Sequence, residues 1–217
     1  MQLAYTHAVV NTLWEFDEAK ERIERHADRL MELGDVICRH RLHESVGLCL
    51  LHRHFRLADG ERLVGTYDAG SYVVGATRRE DWTGVVPSVW RAEALSDVDT
   101  SWGDGPLDGG TAWGYRPLEF VDGTGRGGRL ALRAARAMAS TAFLTDLGRR
   151  LHELDLADTV GLAALDQLPG DLRRTETVYE TSSDRRRTSV RTPVGKDSVP
   201  LDDITVTLWA FHVEPAA

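Results

Sequence analysis

Short runs of β-favouring residues, separated by turn signals, constrain the fold of this chain more than any other feature. Between residues 36 and 92 the runs are bounded by sequences such as Ala58-Asp-Gly-Glu61 and Asp68-Ala-Gly70, which interrupt regular structure and reverse the chain. A second group follows in the C-terminal third, where residues 182–185 are predicted to turn a hairpin. The predicted strands are 36–42, 46–57, 62–67, 71–77, 85–92, 111–121, 159–165, 175–181, 187–192 and 204–213.

Two segments have the periodicity of amphipathic helices instead. In residues 11–33 apolar side chains recur every three or four positions, and Gly34 is predicted to end the helix. Residues 128–154 repeat this spacing, as one helix or as two that break near Ser140 or Gly148. This order predicts an α+β fold: a largely antiparallel β-sheet or open barrel with an N-terminal amphipathic helix and a helical block near 128–154. With 217 residues and no linker-like segment, we expect a single domain over residues 1–217.

Histidines cluster in one part of the predicted sheet. His52 and His54 end a row of alternating apolar residues, so in a strand both imidazoles point to the same side. If residues 36–42 and 46–55 pair as a hairpin with even positions opposite even positions, His40 joins them on that face. Imidazoles on an apolar face need polar partners, because a buried polar group without one costs about 1–3 kcal/mol.

A metal ion would satisfy these imidazoles and leave coordination positions open for water, dioxygen or substrate. The predicted ligands are His40, His52 and His54, and the metals that accept imidazole in this way are Fe, Cu and Zn. Glu44 or Glu61 is predicted as an acid/base or an outer-shell group. Two alternatives stay open: the imidazoles bond to backbone and carboxylates without a metal, or one of them is the axial ligand of a haem.

The segment with His52 and His54 resembles the first cupin motif, in which a glycine precedes His-x-His and a glutamate and a glycine follow. Gly47 is the preceding glycine here, and Asp59 or Glu61 stands in the place of the glutamate. The spacing from Gly47 to the first histidine is one residue short, and no second motif of the Pro-x-Gly, His type follows. The resemblance covers about a tenth of the chain, and the helical block does not suit a simple jelly roll.

Charge and hydropathy argue against several classes of partner. The formal net charge of −8 disfavours nucleic acid and anionic membranes as partners. No apolar run approaches the ~18 residues that span a bilayer, so we expect a cytoplasmic protein. Cys38 and Cys49 are too few for a secreted disulfide framework. Lysine occurs only at positions 20 and 196, so arginine provides 24 of the 26 basic residues, a bias typical of a GC-rich bacterial genome.

The sequence therefore predicts a metal-dependent enzyme that acts on a small organic molecule. Oxidative chemistry is favoured over hydrolysis, because neutral histidine-rich sites suit Fe and Cu. The alternative is a non-catalytic module that binds a small molecule or a partner through its tryptophan-rich middle. Trp82 and Trp102 lie in predicted loops, where exposed aromatics contact ligands, whereas Trp90 and Trp113 lie in predicted strands and are expected in the core. The oligomeric state is left open.

Overall fold

Strands and helices alternate along the chain in the α+β order that the sequence predicts. The computed structural model describes residues 1–68, 70–81, 83–95, 111–124, 126–165, 176–195 and 205–211. Within them the α-helices are α1 (His7–Asn11), α2 (Phe16–Glu24), α3 (Leu30–Arg39), α4 (Arg126–Ala137) and α5 (Thr141–Glu153). The strands are β1 (Val46–Leu50), β2 (Glu61–Asp68), β3 (Ser71–Arg78), β4 (Val85–Ala94), β5 (Trp113–Asp122), β6 (Val160–Ala164), β7 (Glu176–Ser183), β8 (Thr188–Gly195) and β9 (Leu208–Trp209). None of these helices is both long enough and apolar enough to cross a membrane.

The nine described strands form one curled, mostly antiparallel sheet in the order β7-β8-β3-β2-β5-β4-β6-β1-β9. Strands that follow each other in the chain pair as hairpins in β2–β3, β4–β5 and β7–β8. β7 and β8 are joined by a turn at residues 184–187, two positions later than the predicted turn at 182–185. β2 and β5 pair in parallel, with Leu63 opposite Glu119, a pairing that brings two hairpins together at the middle of the sheet.

Helix α5 packs on one face of the sheet. The side-chain oxygen of Ser140 accepts a hydrogen bond from the backbone N–H of Phe143 at 3.4 Å, an N-cap of the kind that is worth about 1 kcal/mol. This cap separates α4 from α5 at one of the two predicted break points. Phe143, Leu147 and Leu151 recur every four residues and are buried. Tyr115 of β5 donates a hydrogen bond to the main chain of α5 at 2.9 Å.

The same face of β5 has a polar end. Glu119 points to the same side as Tyr115, because alternate side chains of a strand share a face. Glu119 lies 3.2 Å from His54, which follows β1, and 3.9 Å from Arg191 of β8. β1 and β8 are each three positions away from β5, on opposite sides. These contacts require the sheet to curl around this face, so α5 fills one end of the concave side and polar residues fill the other.

The predicted strand at residues 36–42 is wrong, because most of this segment belongs to α3. Val36 and Ile37 are β-branched and favour a strand in isolation. Leu30, Leu33 and Ile37, however, are spaced as on one face of a helix, and all three are buried. This buried stripe spans residues on both sides of Gly34 and is consistent with a helix that continues to Arg39.

The predicted N-terminal helical segment is present but divided into α1, α2 and α3. Gly34 does not end a helix, because it lies inside α3. A Cβ atom at Gly34 would lie 2.2 Å from the ring of Phe211. The missing side chain therefore lets that ring pack directly on the helix. The chain leaves α3 through Arg41, which has a positive φ of 58°.

Candidate functional site

The segment between β1 and β2 places His52 and His54 side by side. It has no regular secondary structure and is held on one side by Arg53. The backbone N–H of Arg53 donates to the carbonyl oxygen of Trp14 at 2.7 Å, and its guanidinium donates to that of Asn11 at 2.9 Å. The two imidazoles lie together, with ring centroids 4.5 Å apart. The proximity that their spacing predicts is present, although the segment is not a strand.

Glu180 of β7 faces both imidazoles. Its Oε1 atom lies 3.1 Å from Nδ1 of His54 and 3.8 Å from Nε2 of His52. These three side chains form a group, within the described residues, whose ligand atoms all lie within 4.8 Å of one another. Donor atoms about 2.0–2.2 Å from a tetrahedral metal ion are roughly 3.3 Å apart. Small side-chain movements would therefore bring the three donors onto one ion.

The second nitrogen of each imidazole is already engaged. Nδ1 of His52 lies 3.1 Å from the carbonyl oxygen of Leu50, and Nε2 of His54 lies 3.2 Å from Oε1 of Glu119. A carbonyl or carboxylate oxygen only accepts, so both of these nitrogens carry hydrogen and donate. In neutral imidazoles the lone pairs are then on the two nitrogens that face Glu180. At His54 a hydroxyl can donate to this lone pair, because Oγ of Ser182 lies 3.2 Å from Nδ1. At His52 the lone pair faces Oε1 of Glu180 at 3.8 Å, and a proton or a metal ion between the two atoms would relieve their repulsion.

A guanidinium group lies behind the two carboxylates. Nε of Arg191 donates to Oε2 of Glu180 at 2.7 Å, and Nη2 lies 3.9 Å from Oε2 of Glu119. Burial acts to raise the pKa of both carboxyl groups, but Arg191 and His54 outweigh it and lower them, that of Glu180 well below its ordinary value. Burial acts to lower the pKa of His54, but Glu180 and Glu119 outweigh it and raise that pKa. With His54 protonated, two cations therefore balance two carboxylates.

A polar cavity of about 290 Å³ borders this cluster at His54. Five charged side chains line it, namely Glu15, Arg53, Arg56, Asp184 and Arg187. Glu15 accepts a hydrogen bond from Arg53, and Glu61 binds Arg187 through both carboxylate oxygens, with Nη1 at 2.8 Å from Oε1. Within the described residues, the guanidinium of Arg56 has no ion pair or hydrogen bond. The carboxylate of Asp184 likewise has no ion pair among the described residues, so the cavity has one guanidinium and one carboxylate without a described partner.

His40 does not join the other two histidines. It caps the C-terminus of α3, and its Nε2 atom lies 2.9 Å from Oδ2 of Asp146 on α5. Its ring packs edge-on against Phe143, with centroids 5.5 Å apart. The hairpin that would align His40 with His52 and His54 is a helix instead, so the structure corrects that placement.

The two predicted acid/base residues lie outside the histidine group. The side chain of Glu44 is 75% exposed, and its nearest ion-pair partner is Arg133 at 3.9 Å. Glu61 begins β2 and accepts hydrogen bonds from Arg187 and from the backbone N–H of Ala58. It reaches the cavity only through Arg187. A catalytic role for Glu61 stays a prediction, and its visible contact is with an arginine that lines the cavity.

Three residues of the cluster were missed by sequence reasoning. Glu119 could have been noticed, because it interrupts the row of apolar residues that includes Tyr115 and Val121 on a strand. Glu180 and Arg191 lie directly opposite each other in the β7–β8 ladder, and the turn at residues 184–187 sets this register. No local pattern relates either residue to His54, because that contact depends on the curl of the whole sheet.

The alternative of a binding module depends on four tryptophans, and these fall into two groups. Trp90 is 1% exposed and Trp113 is 6% exposed, so both are core residues, as their predicted strands require. Trp113 packs against Gly148 of α5, where a Cβ atom would collide with its ring. Trp82 and Trp102 lie outside the described residues.

Two imidazoles and one carboxylate, with further positions open, form the ligand set of mononuclear non-haem iron oxygenases and of some zinc hydrolases. No known protein family, curated protein or solved structure matches this chain. The resemblance of residues 47–65 to the first cupin motif stays a prediction. What this cluster can do therefore follows from its own atoms.

Proposed function

We propose that this protein is a metal-dependent enzyme that acts on a small organic molecule, with His52, His54 and Glu180 as its metal ligands. The observation that carries the proposal is the orientation of the two imidazoles. Each donates one N–H to a fixed acceptor, Leu50 or Glu119, and turns its other nitrogen toward Oε1 of Glu180. Metal-binding histidines have this arrangement, because the outer acceptor fixes the tautomer and orients the lone pair.

Fe(II) is the metal that the ligand set favours, with Cu and Zn as the other ions that accept imidazole. Bound iron would supply activation of dioxygen, the oxidant of the proposed reaction, and bound zinc would supply a polarised water or carbonyl. The protein's own part is to hold the ligands, through Arg191 on Glu180 and Glu119 on His54, and to admit the substrate through the cavity beside His54. The net charge of −8 supports an enzyme of small molecules rather than a nucleic-acid-binding protein.

A second candidate is a non-catalytic small-molecule-binding module in which the same cluster is purely structural. The ion pairs favour this candidate, because Arg191 contacts Glu119 and Glu180 without any metal, and the two carboxylates raise the pKa of the imidazole of His54 between them. A buried network whose polar groups are paired is tolerated in a protein core. The two candidates differ in whether a proton or a metal ion is bound to Nδ1 of His54, opposite Glu180.

Metal analysis of chelator-free protein, followed by titration of the metal-free protein with Fe(II), cobalt(II) and Zn(II), separates these candidates. We expect near-stoichiometric binding to the wild type. His52→Gln and Glu180→Gln should lose more affinity than the roughly 10–100-fold that removal of an outer-shell partner costs. His40→Gln is the matched control, because it removes a histidine that lies outside the group.

Circular dichroism of each variant checks that the fold is intact. Metal-free protein that binds none of the three ions contradicts the enzyme proposal and leaves the binding module. Equal affinity of His52→Gln and His40→Gln contradicts the ligand assignment. A Soret band in the purified wild type would indicate the haem alternative instead.

A further inference from the structure

We infer that the hydroxyl oxygen of Ser182 is the fourth protein ligand of the proposed metal site, and that it is the ligand which a substrate atom displaces. This inference rests on the proposed function, since it concerns the same metal. Two observations carry it: the position of the hydroxyl at the lone pair of His54, and the exposure of Ser182 beside side chains that are less exposed.

The first observation is that two oxygen atoms converge on one nitrogen. Oγ of Ser182 lies 3.2 Å from Nδ1 of His54, and Oε1 of Glu180 lies 3.1 Å from the same atom. Nε2 of His54 is engaged by Glu119, so in a neutral imidazole the lone pair is on Nδ1. Donor atoms around a tetrahedral metal ion are roughly 3.3 Å apart, and both distances are close to that spacing. A metal ion on Nδ1 therefore has the oxygen of Ser182 within reach as well as that of Glu180.

The strand β7 places Ser182 and Glu180 on the same side. The two residues are two positions apart in an extended strand, so their side chains share a face. Ser189 of β8 lies opposite Ser182 in the ladder, and its hydroxyl donates to Oε1 of Glu180 at 2.8 Å. A carboxylate oxygen has two lone pairs, so this hydrogen bond fixes Oε1 and leaves one lone pair for a metal ion.

The second observation is that Ser182 is the member of the set that faces solvent. His54 is buried, and His52 and Glu180 are partly buried, whereas Ser182 is exposed. Each of the other three side chains is also held by a further partner: the carbonyl oxygen of Leu50 for His52, Glu119 for His54, and Arg191 for Glu180. A serine hydroxyl is neutral, so unlike the carboxylate it brings no charge to the ion. Ser182 is therefore the ligand that leaves most easily, and its coordination position is the one that opens to solvent.

Replacing Ser182 with cysteine tests this position, because a thiolate bound to cobalt(II) gives an intense charge-transfer absorption that a hydroxyl does not give. Thiolates are strong ligands of such ions, so we expect Ser182→Cys to gain this absorption when cobalt(II) is added and to bind cobalt(II) more tightly than the wild type. Ser183→Cys is the matched control. Ser183 points to the other face of β7, and its hydroxyl oxygen accepts a hydrogen bond from the backbone N–H of Arg186 at 3.3 Å. Cys38 and Cys49 are present in every variant, so the wild-type spectrum accounts for any absorption that they cause.

Azide, an exogenous ligand, tests whether the position exchanges. In the wild type azide should displace the hydroxyl and change the visible spectrum of the cobalt(II) protein. In Ser182→Cys the thiolate should keep its place, and this response should be lost. In Ser182→Ala water takes the place of the hydroxyl, so the response to azide should remain.

Circular dichroism of the cysteine and alanine variants checks that the fold is intact. The inference is overturned, while the metal site stands, if cobalt(II) binds but Ser182→Cys gives no more absorption than Ser183→Cys. It is also overturned if azide leaves the spectrum of the wild type or of Ser182→Ala unchanged. If cobalt(II) does not bind to the wild type, the proposed function fails and the inference fails with it.

Discussion

Replacing Arg191 with methionine should destabilise the fold by far more than the loss of one contact. Arg191 is the cation between two buried carboxylates, at 2.7 Å from Glu180 and 3.9 Å from Glu119. In the native protein Arg191 offsets one of these two negative charges, and the variant leaves that charge unmatched. Removal of one partner from a buried ion pair costs about 3–5 kcal/mol. We expect a loss of that size from a total stability of about 5–15 kcal/mol.

A second substitution should restore part of this loss. Arg191→Met with Glu180→Gln removes one cation and one carboxylate together, so the net charge of the cluster is the same as in the wild type. The double variant should therefore be more stable than Arg191→Met alone by about 1–3 kcal/mol, which is a coupling typical of residues in one network. Arg191→Lys keeps the charge but loses the planar fork, and it should cost about 1 kcal/mol.

Urea unfolding at pH 7, followed by circular dichroism in buffer with a chelator, measures these differences without a contribution from bound metal. Arg149→Met is the matched control: its side chain is 60% exposed and pairs with Asp146, so its loss should change stability by less than about 0.5 kcal/mol. The reasoning is refuted if Arg191→Met loses no more stability than this control. It is also refuted if the double variant is no more stable than Arg191→Met alone.

Three further predictions concern other parts of the fold. The hydrogen bond from Arg187 holds the pKa of Glu61 below its ordinary value of 4.5. This pair therefore stabilises the fold above that pH, and its contribution is lost as the pH falls through the native pKa. The stability difference between the wild type and Glu61→Gln should be larger at pH 7 than at pH 3, and a difference that does not depend on pH contradicts this. Gly34→Ala should destabilise the protein by about 1–3 kcal/mol in thermal unfolding, because the ring of Phe211 occupies the space of the new Cβ. Alanine normally favours a helix over glycine by about 1 kcal/mol, so an increase in melting temperature argues against this packing. Tyr115→Phe removes a buried hydrogen bond to α5 and should cost about 1 kcal/mol in urea unfolding, and wild-type stability would contradict that contact.

Most of the secondary structure could be predicted from local pattern. The strands from β2 to β8 and the break at Ser140 were recognisable because alternation, helical spacing and capping involve residues only a few positions apart. Residues 36–42 show the limit of this approach. Their composition suits a strand and a helix equally, and the buried stripe from Leu30 to Ile37 decides between them. The parallel pairing of β2 and β5 has no local signal either, because it joins segments far apart in the chain.

The sequence by itself determined that His52 and His54 would lie together, since side chains two positions apart in an extended segment point to the same side. It did not determine their third partner: a hairpin pointed to His40, whereas the curled sheet brings Glu180 from its edge strand, with Arg191 behind it. The curl reflects burial summed over all strands and helices, and no window of sequence contains that sum. The carboxylate at the site, its charge balance and the adjoining cavity were therefore decided by the tertiary structure.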